Sequence, residues 1–119
     1  MVDYRNYTVW QKSHLLVLDI YKVSKQLPSE EKFNLISQLN RAALSIPTNI
    51  AEGCGRETQK ELLRFLYISS GSAFELEYLI FVTTELGFID QNTSEKLSGE
   101  IDEIKKMLFS LIRKIKTTL

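Results

Sequence analysis

The sequence predicts an all-α fold: an antiparallel up-down-up-down four-helix bundle, with the second helix kinked at Pro47, forming a single domain over residues 1–119. Three observations lead there. Two prolines and five glycines in 119 residues leave few places to turn, so the elements must be few and long. Apolar residues recur at steps of three and four through nearly the whole chain, the period of an amphipathic helix. Helix-start signals recur at the segment boundaries, and connections of about two to six residues between long helices favour antiparallel neighbours. No internal repeat, low-complexity segment or linker divides the chain.

Residues 1–7 are polar and aromatic and are expected to lie over the bundle or fray. Thr8 with Gln11 reads as a capping box, opening a first helix that runs to about Leu27 before Pro28. Its apolar arc is Val9, Trp10, Leu16, Val17, Ile20, Tyr21, Val23 and Leu27, while Leu15 and Leu18 fall on the polar arc. Ser29 reads as the next N-cap, with Glu30 and Glu31 complementing the dipole of a second helix that ends near Glu52. Within it Leu35, Ile36, Leu39, Ala43, Ile46 and Ile50 form one arc, and Gln38, Arg41, Ser45, Asn49 and Glu52 a narrow polar stripe opposite. Pro47 lacks the N–H that would reach the Ala43 carbonyl, so a kink is expected there and not a stop. Gly53 and Gly55 are expected to end the helix in a left-handed cap.

Thr58 with Glu61 is a second capping box, and the third helix extends to about Leu86, ended by Gly87. This helix is apolar on nearly all sides. Leu62, Phe65, Leu66, Ala73, Leu76 and Ile80 make one arc; Tyr67, Phe74, Tyr78 and Phe81 a second; Ile68, Leu79 and Leu86 a third. A bundle helix ordinarily keeps one face in water, so the surplus implies a partner, most simply a second copy. Leu15, Leu18, Tyr67, Phe74, Tyr78 and Phe81 are the expected oligomer interface. Asn92 with Glu95 reads as the cap of a fourth helix, whose Leu97, Ile101, Ile104, Leu108, Leu111 and Ile115 form a two-position heptad seam with Phe109 pointing away from it.

The run QLNRAALSIPTNIAEGCGR at 38–56, followed by GSAFELEYL at 71–79, resembles the small four-helix-bundle protein family also called 23S rRNA intervening-sequence proteins. The resemblance extends from Trp10 to about residue 115. It implies an antiparallel four-helix bundle, commonly assembled as a homopentamer. A related branch, the accessory proteins of diversity-generating retroelements, implies a basic pentamer that binds nucleic acid and a reverse transcriptase.

Composition narrows the function classes. Fifteen basic and fifteen acidic residues cancel, so no global field draws the chain to nucleic acid or an anionic membrane. The charge is nevertheless uneven. Residues 75–103 hold eight acids against one lysine, and residues 105–116 hold Lys105, Lys106, Arg113, Lys114 and Lys116 with no acid. That basic end reads either as dipole complement on a solvated face or, together with Arg56, Lys60 and Arg64, as an anion or nucleic-acid contact. The single cysteine, Cys54, excludes an internal disulfide and fits a reducing compartment. No apolar run approaches membrane-spanning length, and MVDYRNYTVW lacks the order of a secretory signal, so a cytoplasmic protein with no membrane partner is expected.

Catalytic and metal chemistry find little support. A di-metal carboxylate bundle needs two inward Glu-x-x-His pairs, and His14 is the only histidine, so no metal or cofactor is expected. Cys54 beside Arg56 has no nearby base in sequence and reads as an inert loop thiol. The stripe Gln38–Glu52 admits three readings: a wet face, a buried network in which Arg41 pairs with Glu52 or Glu75, or the lining of an oligomer surface or pore. Network or interface is favoured, because an otherwise apolar protein needs polar residues to set helix register. The expected function is a non-enzymatic oligomeric scaffold or adaptor touching RNA or a nucleoprotein partner. The alternatives are a pure protein–protein module and a small-ligand binder at the polar stripe.

Overall fold

The computed structural model describes residues 2–119 and shows four α-helices and no strand among them. Helix α1 spans Thr8–Ser24, α2 Leu35–Cys54, α3 Gln59–Glu85 and α4 Gln91–Lys116, with short 3-10 turns at Tyr4–Asn6 and Ser29–Glu31. The 27 residues of α3 make a rod of about 40 Å at the α-helical rise, which accounts for most of the 45 Å long dimension.

Each helix has two neighbours and stands diagonally from the third: α1 packs beside α2 and α4, and α3 packs beside α2 and α4. The facing residues give the direction of each pair. Ser45 meets Ser72, Ile46 meets Ser69, and Gly53 lies against Leu62 and Phe65, so numbers rise along α2 as they fall along α3. Likewise Glu77 meets Lys105 while Thr84 meets Ser94 across α3 and α4. The core is aliphatic, with Leu16, Ile20, Leu39, Ile46, Ile50, Leu66, Leu76, Ile80, Leu97, Ile101, Ile104 and Leu108 removed from water.

The tightest pairing is α2 against α3, and small side chains make it so. Ala43, Ser69, Ser72 and Ala73 are buried, and a Cβ on Gly53 would sit 2.9 Å from the Phe65 Cβ. Gly53 is therefore a residue of close approach inside α2, not the end of the helix. Two hydroxyls then bond across the contact: Ser69 Oγ donates to the Ile46 carbonyl at 2.9 Å, and the Ser45 and Ser72 hydroxyls lie 2.7 Å apart. Pro47 is buried and α2 runs through it to Cys54.

Several helix ends differ from expectation. Thr8 is the first helical residue, with Tyr7 at the cap position, and Gln11 reaches back through Nε2 to the Arg5 carbonyl at 2.8 Å. Helix α1 stops at Ser24, three residues before Leu27, whose side chain is buried in the connection. Ser29 opens a 3-10 turn, and α2 begins only at Leu35. Gly55 caps α2 at φ −84°, in right-handed geometry, so the left-handed expectation fails there; Gly87, at φ +78°, meets it after α3. Asp90, not Asn92, caps α4, its Oδ1 accepting from the Thr93 N–H at 2.7 Å. Thr58 caps α3 as expected, accepting from the Glu61 N–H at 3.1 Å. Helix α3 is long and apolar enough to cross a membrane by length and composition, correcting the expectation that no stretch is. The core helix of a bundle passes the same test, and the inner face of α3 is packed against its neighbours.

Two glycines should respond to alanine with opposite signs. Gly53→Ala forces a methyl into the α2–α3 contact and is expected to destabilise by about 1–3 kcal/mol. Gly99→Ala, in an exposed turn of α4 with nothing within 4 Å of the added carbon, is expected to stabilise by about 0.5–1 kcal/mol. Urea unfolding of both variants at matched protein concentration checks the pair.

Candidate functional surfaces

The polar stripe of α2 divides into a bonded centre and wet ends. Asn49 Nδ2 donates to the Ser45 carbonyl at 2.8 Å and to Ser45 Oγ at 2.9 Å, and Ser45 Oγ meets Ser72. This chain of bonds satisfies itself and pins α2 to α3. Gln38, Arg41 and Glu52 are exposed, and among the described residues the ion pairs do not include Arg41. The expected pairing of Arg41 with Glu52 or Glu75 is thus absent. Glu52 lies eleven positions on, about 16 Å along the helix. Glu75 shares with Gln38, Arg41 and Ser45 an open depression of about 240 Å³ but makes no ion pair with Arg41. Within it Ser45 Oγ is engaged by Ser72 and Asn49, and no hydrogen bond joins it to the Glu75 carboxylate.

The cations gather at one end. Because α3 and α4 run in opposite directions, the start of α3 and the end of α4 lie side by side, and Lys116 Nζ sits 5.6 Å from the Tyr67 ring centroid. Arg56 and Arg64 lie 4.9 and 5.2 Å from the Phe65 ring, and Arg113 lies 5.9 Å from Phe109. Lys60, Arg64 and Tyr67 line one shallow depression. Among the described residues, Arg56, Lys60, Arg64, Arg113, Lys114 and Lys116 have no carboxylate within ion-pair distance, although Glu57 and Glu61 share the start of α3. Lys105 and Lys106 are different. Lys105 Nζ is 2.8 Å from Glu77 and 4.3 Å from the Phe74 ring centroid with its side chain only 17% exposed, and Lys106 pairs with Asp102 at 3.2 Å. Lys60 in the first turn of α3 faces the positive end of the helix dipole, a local electrostatic cost.

The second arc of α3 faces outward. Tyr67, Phe74, Tyr78 and Phe81 are 45%, 55%, 64% and 59% exposed, and on α1 Leu15 and Leu18 are exposed too. Phe74 and Phe109 flank a groove of about 220 Å³ between α3 and α4, floored by Ser70 and edged by Asp102, Lys105 and Lys106. Leu44 and Ile68 add exposed aliphatic surface. Leu44 lay outside the expected interface, although its place off the apolar arc of α2 was a usable signal.

Cys54 is buried at the end of α2, not in a loop, and burial pushes its thiol above the usual range. His14 stacks on Trp10 with ring centroids 5.2 Å apart. Among the described residues no group of three His, Cys, Asp or Glu side chains is placed to hold a metal ion. One titratable cluster stands out between α1 and α4, where Lys12, Asp19, Glu100 and Glu103 border a groove of about 170 Å³ beside Leu15. Burial and the neighbouring Asp19 raise the Glu100 carboxyl above its ordinary value, opposed by Lys96. Lys12 meets Glu103 at 2.8 Å.

The family model described as "23S rRNA-intervening sequence protein" matches residues 5–110, and the chain belongs to that family. The structure is similar to the crystal structure of a protein of unknown function from the S23 ribosomal protein family of Bacteroides thetaiotaomicron. The TM-score is 0.82 at 28% sequence identity, covering 88% of this chain and 98% of that one. No curated protein matches the chain. Nothing in the family description or in this neighbour points to catalysis.

The Glu100 environment sets a pH dependence. A carboxyl raised in the folded state favours the protonated form there, so the charged form costs stability at neutral pH. That cost fades as the pH falls through the carboxylate range. Glu100→Gln is therefore expected to raise the melting temperature at pH 7 and to leave it nearly unchanged near pH 4, checked by thermal melts at the two values.

Proposed function

We propose that this protein is a non-enzymatic structural subunit that self-associates and presents a cationic rim to RNA. The observation that carries the reading is the convergence at one end of the bundle. Lys60, Arg64 and Lys116 come together there around the exposed Tyr67, and these three, like Arg56, Arg113 and Lys114 at the same end, have no ion-pair partner among the described residues. Cations interleaved with an aromatic face suit a phosphate backbone and a stacked base. The position of Lys60 against the α3 dipole is a cost that fold stability does not require. The family description ties such proteins to insertions in ribosomal RNA, which is consistent with an RNA partner.

Self-association supplies what one neutral chain lacks. A modest patch repeated around an assembly binds a long polyanion with avidity that a single copy cannot reach. The wet aromatic arc of α3 supports assembly, because contiguous exposed aromatics on a bundle helix mark an interface. A homopentamer is the expectation that the family resemblance carries. If the rim touches no nucleic acid, the same surfaces describe a protein–protein module.

Two measurements test this. Light scattering should give a mass several times 13.8 kDa; a particle of one chain at high concentration would overturn self-association. Fluorescence anisotropy with single-stranded and hairpin RNA should show binding at low salt that weakens steeply by about 0.2 M. Arg64→Ala with Lys116→Ala should weaken it on every sequence and flatten the salt slope by about two. An assembled protein with no RNA binding even at low salt would leave only the protein–protein reading.

A further inference from the structure

One face of α4 carries Lys106, Phe109, Arg113 and Lys116 at steps of three and four, all of them exposed. Across the groove from it, α3 presents Tyr67, Ser70 and Phe74. Because the two helices are antiparallel, Lys116 stands at Tyr67 and Lys105 at Phe74, which puts Phe109 at a height between those two rings. Each ring has a cation against it: Lys116 lies 5.6 Å from Tyr67, Arg113 5.9 Å from Phe109 and Lys105 4.3 Å from Phe74. Residues 62–74 of α3 and 104–116 of α4 contain no acid. Acids return past Phe74, where Glu77 holds Lys105 and Asp102 edges the groove.

We propose that this groove seats a single-stranded RNA segment of about three nucleotides, one base on each of Tyr67, Phe109 and Phe74, and so selects single strands over duplex. This rests on the RNA reading above and adds where the bases go. Tyr67 and Phe74 are seven residues apart, so the three rings span about 10 Å and stand about 5 Å apart in height at the α-helical rise. Bases in a duplex are spaced at about 3.4 Å and face their partners, so they cannot lie on these rings. A single strand with its bases splayed can. Its phosphates meet Lys116, Arg113 and Lys106. Lys105 is occupied by Glu77 and takes none. Lys106 is available, because its pair with Asp102 is an exposed one within a single helix and is easily displaced. The acids past Phe74 repel further phosphates, which limits the length of strand held. Phe74 belongs also to the outward arc of α3, but Phe109 is on α4, and Tyr78 and Phe81 do not line the groove. Phe109 therefore reports on the groove apart from the arc assigned to self-association.

Anisotropy titrations with one RNA sequence, single-stranded and as a duplex, test this. Wild type should bind the single strand about tenfold more tightly than the duplex. Phe109→Leu keeps an apolar side chain but removes the ring, at a position 64% exposed and outside the core. It should weaken single-strand binding about tenfold, leave duplex binding and the salt slope unchanged, and keep the wild-type mass and helical circular dichroism. Phe109→Tyr, which retains a ring, should bind as wild type does. RNA binding that ignores strandedness, that survives Phe109→Leu undiminished, or that Phe109→Tyr loses equally would overturn the groove and leave the cationic rim standing. A changed mass for Phe109→Leu would make the groove a contact between copies and overturn the proposal as well. A protein that binds neither RNA at low salt would overturn this and the RNA reading together.

Discussion

The close approach of α2 and α3 sets the frame for everything else. Backbones come near only where side chains are small, and Gly53, Ala43, Ser69, Ser72 and Ala73 supply that condition along one line of contact. Apolar packing by itself is indifferent to small slips along a helix axis. The Ser69 hydroxyl on the Ile46 carbonyl and the Ser45–Ser72 pair are directional, so they choose one register. Once that register holds, the inner face of α3 is committed to the core and Tyr67, Phe74, Tyr78 and Phe81 have nowhere to turn but outward.

The same constraint decides the electrostatics. A chain with equal numbers of acids and bases has no net field, yet antiparallel pairing sorts its charges by position along the bundle. The acid-rich opening of α4 stands beside the end of α3, and the basic close of α4 stands beside the start of α3. Cations some fifty residues apart in sequence become neighbours around Tyr67. At the middle of the same contact the cation is spent: Lys105 is held by Glu77 and Phe74 and is not free to meet a phosphate. Local neutralisation along the shaft and an unneutralised end give a neutral molecule a usable charge distribution.

Helix identity was legible in the sequence because periodic burial is a property of many residues acting together. The seam of α4 and the first apolar arc of α3 reappear as packing, whereas the second arc and, with it, Ile68 and Leu86 stay in water. Helix ends were less legible, because a cap depends on one side chain in competition with its neighbours. Thr58 won its contest. Asn92 lost to Asp90, which sits two residues earlier with a carboxylate aimed at the Thr93 N–H. Ser29 and Thr8 each lost to chain geometry: the first opens a separate 3-10 turn, and the second is drawn into the helix behind Tyr7. Arg41 shows a different limit. Its helical stripe was read correctly as one face, but sharing a face does not bring side chains three turns apart into contact.

The sequence by itself determined that this chain makes four helices, which arcs of them avoid water, and that one helix carries more apolar surface than a bundle can cover. Those conclusions depend on local periodicity and composition, which any fold of the chain must respect. Only the tertiary structure decided that Gly53 is a contact and not a terminator, that Lys105 is occupied while Lys116 is free, and that the wet stripes of α1 and α3 lie on opposite sides. Each of those depends on which helix stands next to which and at what height, and distances between segments far apart in the chain are written in no local pattern.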